Sequence, residues 1–135
     1  MNLHLLAEIG QKALITQNGK VLMCRGAGEG DFWDFPGGRL NEEENPQEGL
    51  LREIKEELGL EGVLVGSPIF TSVRSFEKRP PRFFVVYVCT LPTEDTVFKL
   101  QEEEIAEVRW ISESDVENLK TPPEWKEVLR EYFIK

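Results

Sequence analysis

Three glutamates share one strip of a helix that the sequence predicts between residues 46 and 58. At about 100° per residue, Glu53, Glu56 and Glu57 fall within an arc of roughly 100°. The neighbouring arc is apolar and holds Leu50, Leu51, Ile54 and Leu58. Carboxylates on one strip repel one another unless a cation or protons neutralise them. The pattern predicts a helix with one face in a hydrophobic core and the other at a divalent-cation site; a solvated acidic face is the alternative.

Capping residues mark both ends of this helix. Asn45 is a preferred N-cap residue, Pro46 suits the first helical position, and Glu48 completes a capping box. Gly59 favours the left-handed conformation that ends a helix. Gly49, inside the helix, should lower the stability of the helix by about 0.5–1 kcal/mol relative to alanine unless a close backbone contact requires a glycine there.

The segment from residue 38 to residue 60 resembles the Nudix box. That pattern is Gly, five residues, Glu, seven residues, Arg-Glu, an aliphatic, any residue, Glu-Glu, any residue, Gly, an aliphatic. Its positions are filled here by Gly38, Glu44, Arg52, Glu53, Ile54, Glu56, Glu57, Gly59 and Leu60. Nine matches at fixed spacing make chance an unsatisfactory explanation. The resemblance implies an α/β (α+β) fold, an α/β/α sandwich around a mixed β-sheet with a loop-helix-loop motif.

The resemblance also implies a metal site and its ligands. Mg²⁺, with Mn²⁺ as a substitute, prefers oxygen ligands, and carboxylates supply them. Glu56 and Glu57 would be the strongest ligands, Glu53 would bind metal or help activate water, and the Gly38 carbonyl would be a further ligand. Arg52 would hold a carboxylate such as that of Glu44 or Glu53 in place.

A second acidic run, residues 102–104, is a candidate source of a general base. Several members of the resembled family draw a base or an extra ligand from this region. Glu104, directly before the apolar Ile105, is the first candidate, and Glu103 is the second. A solvated surface charge run is the alternative interpretation.

Candidate substrate contacts are expected near the box. Arg25 closes a strand that leads towards it, and Arg39 follows the double glycine, so both are candidates to contact phosphate, with surface arginines as the alternative. Trp33 is a candidate to stack on a base, although core packing is common at such positions. A basic patch around a proline loop, Arg74, Lys78, Arg79 and Arg82, either grips a distal phosphate or ribose or is a solubilising hairpin tip.

The rest of the chain alternates between strand and helix patterns. We predict strand structure over residues 2–17, a hairpin at Asn18-Gly19, and a glycine-rich loop over residues 26–34. Further predicted strands cover residues 62–76, 82–91 and 107–111, and predicted helices cover residues 112–119 and 122–133. We expect a single domain spanning residues 1–135.

Composition restricts the possible partners. The formal net charge of −9 argues against stable binding to nucleic acid or to an anionic membrane.

Cys24 and Cys89 lie in apolar runs without metal-ligand spacing, which favours buried reduced thiols. Without a membrane-spanning or leader pattern, we expect a soluble, cytoplasmic protein.

These observations together predict a Mg²⁺-dependent pyrophosphohydrolase that acts on a nucleoside diphosphate linked to a group X. By resemblance to compact family members, nucleoside or deoxynucleoside triphosphates, including oxidised ones, are the expected substrates. ADP-ribose, nucleotide sugars, dinucleoside polyphosphates and RNA ends stay open, the last disfavoured by acidity. The rivals are a non-catalytic nucleotide sensor and an acidic interaction domain. Members of the resembled family commonly form homodimers through varied surfaces, so a homodimer is a candidate assembly and the oligomeric state stays open.

Overall fold

A computed structural model describes residues 3–28 and 30–134. The strands are β1 (Glu8–Gln17), β2 (Lys20–Gly26), β3 (Trp33–Asp34), β4 (Gly37–Arg39), β5 (Leu64–Arg74), β6 (Arg82–Thr90) and β7 (Ile105–Ile111). The helices are α1 (Pro46–Leu58), a short 3₁₀ helix (Glu113–Asn118) and α2 (Pro123–Ile134). No described helix has both the length and the apolar character that crossing a membrane requires.

The strands form one mixed sheet. Its central order is β3-β2-β1-β6-β5, with β4 also paired to β1 and β7 also paired to β2. Strands β1 and β6 run parallel, from the pair Glu8 and Arg82 to the pair Thr16 and Thr90. The other pairings are antiparallel. The predicted mixed sheet is therefore confirmed.

A hydrophobic core lies on each face of the sheet, because side chains alternate between faces along a strand. On one face, Leu50, Ile54 and Leu58 of α1 pack with residues that include Ile15 and Leu22. On the other face, the core contains Trp125, Val128 and Leu129 of α2, together with Leu14, Met23 and Phe35. Helices thus cover both faces, which is the predicted α/β/α sandwich.

Local sequence signals account for the hairpin and for both ends of α1. Asn18 (φ 52°) and Gly19 (φ 73°) form the turn between β1 and β2, as in a type I′ hairpin. The Asn45 side chain accepts hydrogen bonds from the backbone N–H groups of Gln47 (3.0 Å) and Glu48 (3.4 Å). Gly59 is left-handed (φ 69°), and its N–H donates to the Lys55 carbonyl at 2.9 Å.

Gly49 has the close contact that would justify a glycine inside the helix. A Cβ there would lie 2.6 Å from Leu40 Cδ1 and 2.8 Å from Glu44 Oε1. The loop before α1 therefore packs directly against the helix backbone at this position.

Several boundaries differ from the predictions. Strand β5 is shorter than predicted by two residues at each end, β6 ends one residue earlier, α2 is shifted by one residue, and the last two residues of the predicted loop form β3. Strand β1 begins at Glu8, residues 3–7 form no regular strand, and residue 2 of the predicted strand lies outside the described residues. Strand β7 begins at Ile105, two residues earlier than predicted, because pairing to β2 extends it. The helix predicted over residues 112–119 is a 3₁₀ helix of six residues.

Candidate functional site

Strand β4 brings the double glycine against α1. Gly37 pairs with Lys12 and Gly38 with Gln11. Gly37 has a φ of 145°, and a Cβ there would lie 2.9 Å from the Lys12 Cα, so only glycine fits. A Cβ on Gly38 would lie 2.6–2.7 Å from the carboxylate oxygens of Glu53. The Glu53 carboxylate is therefore packed against the Gly38 backbone, which places two of the predicted ligands next to each other.

Arg52 joins three carboxylates of the box. Its Nη1 donates to Glu53 Oε1 at 3.0 Å and to Glu56 Oε2 at 3.2 Å. Its Nε and Nη2 make a two-point contact with the Glu44 carboxylate. The hydrogen bond from Arg52 lowers the pKa of Glu44, and the reciprocal interaction raises the pKa of Arg52. A planar guanidinium held on one side by Glu44 is well suited to fix the position of Glu53.

Glu57 is the buried member of the strip. It is 9% exposed, and its Oε1 accepts a hydrogen bond from the Gly37 N–H at 3.0 Å. Burial raises the pKa of Glu57 to about 7, against the opposing effects of that hydrogen bond and of the Lys12 charge. A carboxylate in this environment is stabilised by a proton or by a cation.

The candidate ligand atoms are all oxygens, which suit a hard cation, although the side chains that carry them are not arranged around one point. Across residues 3–28 and 30–134, no group of three or more His, Cys, Asp or Glu side chains is placed to hold a metal ion. Glu56 is paired with Arg52 and its side chain is 53% exposed. Glu53, Glu57 and the Gly38 carbonyl carry oxygen atoms of the kind that Mg²⁺ or Mn²⁺ prefers. Cation binding by Glu56 would exchange its contact with Arg52 for the ion.

A cavity of about 450 Å³ opens beside Glu57. Its charged lining residues are Lys12, Asp34, Glu57, Arg74, Arg79, Arg82 and Glu104. Four of these seven are cationic, in a chain whose net charge is −9. A local concentration of cations can hold phosphate groups that the rest of the protein would repel.

Lys12 is a cationic residue of this cavity that the sequence analysis did not indicate. Its Nζ donates to Asp34 Oδ2 at 3.1 Å and to the Phe35 carbonyl at 3.3 Å. Asp34 is itself held by Trp125, whose Nε1 donates to Oδ1 at 2.8 Å. A lysine inside an apolar strand was the available signal, but its partners Asp34 and Phe35 lie 22 and 23 positions away along the chain.

The run of residues 102–104 divides between two places. Glu104 lines the cavity with Glu57, and its charge contributes to the raised pKa of Glu57. Glu102 and Glu103 line a separate, open depression on the surface. The structure therefore places Glu104, the first candidate of the sequence analysis, at the cavity and Glu103, the second, away from it.

Three predicted substrate residues lie away from this cavity. Arg25 contacts Glu107 (3.1 Å) and the Gly30 carbonyl (2.9 Å), whereas the preceding Cys24 lines the cavity. Arg39 pairs with Glu8 at 3.2 Å. Trp33 is 7% exposed, belongs to the core on the α2 side, and borders a different cavity of about 340 Å³. Of the predicted basic patch, by contrast, Arg74, Arg79 and Arg82 do line the cavity.

Both cysteines are buried free thiols. Burial raises the pKa of Cys24 strongly and that of Cys89 to about 12. Because a thiolate is the reactive form, neither side chain is suited to act as a nucleophile.

A family model described as NUDIX domain matches residues 10–132. The chain belongs to the NUDIX family. This confirms the family and the fold that the segment at residues 38–60 indicated. The match extends through β1 and α2, well beyond the box itself.

Two curated relatives show how far the similarity extends. An 8-oxo-dGTP diphosphatase of Proteus vulgaris is 53% identical over 32 residues, which are 24% of this chain and 29% of the relative. Nudix hydrolase 2 of Arabidopsis thaliana is 28% identical over 131 residues, which are 90% of this chain and 40% of the relative. Less than half the length of either curated relative is matched. Both bear the names of hydrolases, as the resemblance implied.

A solved NUDIX structure shows the shared fold. The crystal structure of a NUDIX family hydrolase from Clostridium perfringens has a TM-score of 0.78 with this chain at 20% identity. The similarity covers 96% of this chain and 97% of that one. At this identity, the similarity establishes the fold alone.

Proposed function

We propose that this protein is a Mg²⁺-dependent pyrophosphohydrolase that cleaves a nucleoside diphosphate linked to a group X. The observation that carries the proposal is the position of Glu57, a buried box carboxylate that lies beside Glu53 and opens into a cation-lined cavity. Carboxylates to hold a metal ion and cations to hold phosphate thus meet at one place. The expected substrates are nucleoside or deoxynucleoside triphosphates, including oxidised ones, in keeping with the relative named 8-oxo-dGTP diphosphatase.

The chain's residues would divide the work as follows. Glu53, Glu56, Glu57 and the Gly38 carbonyl would hold the cation, which when bound supplies charge neutralisation and a more acidic attacking water. Arg52 keeps Glu53 in position through its two contacts with Glu44. Lys12, fixed by Asp34, would offset the negative charge of the substrate phosphates.

Glu104 is the proposed general base. It lines the same cavity as Glu57, and its carboxylate has no hydrogen-bond or ion-pair partner among the residues that the structure describes. It would take one proton from the attacking water as the new oxygen–phosphorus bond forms and the phosphoanhydride bond breaks. A nucleoside triphosphate would give a nucleoside monophosphate and pyrophosphate.

The proposal is tested by a hydrolysis screen of nucleoside triphosphates, ADP-ribose and dinucleoside polyphosphates, each with Mg²⁺ and with EDTA. We expect Mg²⁺-dependent release of a nucleoside monophosphate from at least one compound, and loss of that activity in Glu56→Gln. Glu48→Gln, an exposed first-turn residue of the same helix, is the matched control and should stay active. A wild-type protein that binds nucleotide but cleaves none of these compounds would be the sensor rather than the enzyme.

Replacing Glu104 by Gln tests the assignment of the base. Turnover should fall by tenfold or more, because general-base catalysis typically contributes about 10²- to 10⁴-fold. Glu103→Gln is the control, since Glu103 lines a different surface. Equal turnover in the Glu104 variant and the wild type would remove Glu104 from the reaction.

Two further proposals concern the domain organisation and the location of the protein. We propose that residues 1–135 act as one domain, because the two hydrophobic cores flank a single sheet. We also propose a cytoplasmic location, which suits two buried, unpaired thiols.

A further inference from the structure

The turn that carries Glu104 is attached to the C-terminal end of α1. The N–H of Lys99 donates to the Leu58 carbonyl, and the N–H of Gln101 donates to the Glu57 carbonyl, each at 2.9 Å. The last carbonyls of a helix have no partner within the helix, so these two bonds satisfy groups that would otherwise need water or a side chain. The connection from β6 to β7 is thus bound to the backbone of Glu57, a residue that we propose as a metal ligand.

Close packing supports this attachment. A Cβ on Gly59 would lie 2.7 Å from Lys99 Cβ and 2.9 Å from the Lys99 carbonyl oxygen, so the connection crosses directly over the end of the helix. The side chains of Phe98 and Leu100, on either side of Lys99, pack against the core on the α1 side. The segment is therefore held to α1 by apolar contacts as well as by hydrogen bonds.

Gln101 connects this attachment to Glu104. The Gln101 carbonyl accepts hydrogen bonds from the N–H groups of Glu104 at 2.9 Å and of Ile105 at 2.8 Å. The Glu104 carbonyl in turn accepts from the N–H of Ala27, the residue after β2, at 2.9 Å. Both backbone polar groups of Glu104 therefore have partners, which fixes its backbone beside the cavity that its side chain lines.

We propose that Gln101 and Ala27 are positioning residues, whose backbones hold Glu104 at a fixed position relative to Glu57. The inference rests on the proposed function, because it explains how the proposed base is placed beside a proposed metal ligand. Gln101 alone links the two backbones, since its N–H binds Glu57 and its carbonyl binds Glu104. A base on a surface turn without such bonds would sample many positions, and a displacement of about 1 Å can lower the rate by about 100-fold.

Proline substitutions remove the two donors on which the proposal depends. Gln101→Pro lacks the N–H that binds the Glu57 carbonyl, and Ala27→Pro lacks the N–H that binds the Glu104 carbonyl. We expect each to lower kcat by about 10- to 100-fold, with KM and the Mg²⁺ concentration for half-maximal activity unchanged. Glu102→Pro is the control, because the Glu102 N–H donates to no acceptor within the described residues. Gln101→Ala keeps both backbone groups and should restore the wild-type kcat.

A double-mutant cycle with Glu104→Gln separates positioning from general damage. If proline acts by displacing the base, Gln101→Pro should lower kcat in the wild type but not in Glu104→Gln, which has no base to displace. Equal losses in both backgrounds would overturn the proposal, and a wild-type kcat in either folded proline variant would reject the role of that residue. If urea titrations show that Gln101→Pro does not fold, Ala27→Pro decides the same cycle by itself.

Hydrogen exchange distinguishes this inference from the proposed function. Amide exchange rates measured by NMR in EDTA report the backbone bonds without any hydrolysis. We expect slow exchange of the Gln101 and Glu104 amides in the wild type, and exchange of the Glu104 amide that is faster by about tenfold or more in Gln101→Pro. Slow exchange in a protein that cleaves no nucleotide would reject the proposed function and retain the attachment of the turn. Fast exchange of both amides in an active wild type would retain the enzyme and reject the positioning residues.

Discussion

At the scale of single residues, Arg52 and Glu57 show two different environments for the carboxylates that we propose hold a cation. Arg52 holds Glu53 and Glu56 from outside the strip while Glu44 holds Arg52. Glu57 instead is buried and has one backbone donor, Gly37. The contacts of Arg52 fix the positions of the Glu53 and Glu56 carboxylates. The burial of Glu57 leaves a carboxylate charge that a bound cation would compensate.

Arg52→Lys tests the positioning role. Lysine keeps the positive charge but cannot contact Glu44 at two points while also reaching Glu53. We expect the Mg²⁺ concentration for half-maximal activity to rise by about 10- to 100-fold. Lys55→Gln, which removes only an exposed pair with Glu61, should leave it unchanged. An unaltered Mg²⁺ dependence in Arg52→Lys would contradict the role.

Glu57 should make the stability of the metal-free protein depend on pH. Its pKa is raised from 4.5 to about 7 in the folded state, so the folded protein retains a proton that the unfolded chain has lost. The free energy of unfolding in EDTA should therefore fall as pH rises from about 4.5 to 7, by on the order of 3 kcal/mol. Urea titrations of wild type and Glu57→Gln would measure the difference, since the variant cannot titrate there. Identical slopes in both proteins would contradict the expectation.

At the scale of secondary-structure elements, the ends of α1 were predictable from nearby residues. The distant residues that meet at the cavity were not. The bounds of α1 followed from Asn45 and Gly59, which act within a few residues of themselves. The cavity lining, in contrast, depends on the parallel pairing of β1 with β6, which are separated along the chain by residues 18–81. The sequence therefore indicated the carboxylate strip but not Lys12.

Two misplaced candidates near the box lie one residue after a residue that lines the cavity. In strand β2, Cys24 lines the cavity, so the next residue, Arg25, projects elsewhere and pairs with Glu107. Phe32, which precedes β3, also lines the cavity, while Trp33 packs into the core. In both cases the sequence indicated the right segment, and a shift of one residue changed which side chain reaches the site.

Asn45→Ala tests how far the start of α1 depends on its cap. Loss of the two accepted backbone hydrogen bonds should lower the free energy of unfolding by about 1 kcal/mol. Gln47→Ala, an exposed position in the same turn, is the control and should change stability by less than about 0.5 kcal/mol. Urea denaturation would measure both, and equal stability of Asn45→Ala and wild type would show that packing alone fixes this end.

At the scale of the whole molecule, the two layers meet at the site. Helix α1 carries the carboxylates on one face of the sheet. From the other layer, Trp125 of α2 packs against Phe35 with ring centroids 5.4 Å apart and binds Asp34, which holds Lys12. The core on the α2 side therefore helps to position Lys12. Lys12 lines the same cavity as Glu57, which belongs to α1.

The most direct test of the central claim is an EPR titration of Mn²⁺ into the purified protein, because free and bound Mn²⁺ give different signals. We expect saturable binding by the wild type and by Glu48→Gln, and at least tenfold weaker binding by Glu53→Gln, Glu56→Gln and Glu57→Gln. The same affinity in all five proteins would contradict the claim that the carboxylate strip of α1 holds the divalent cation.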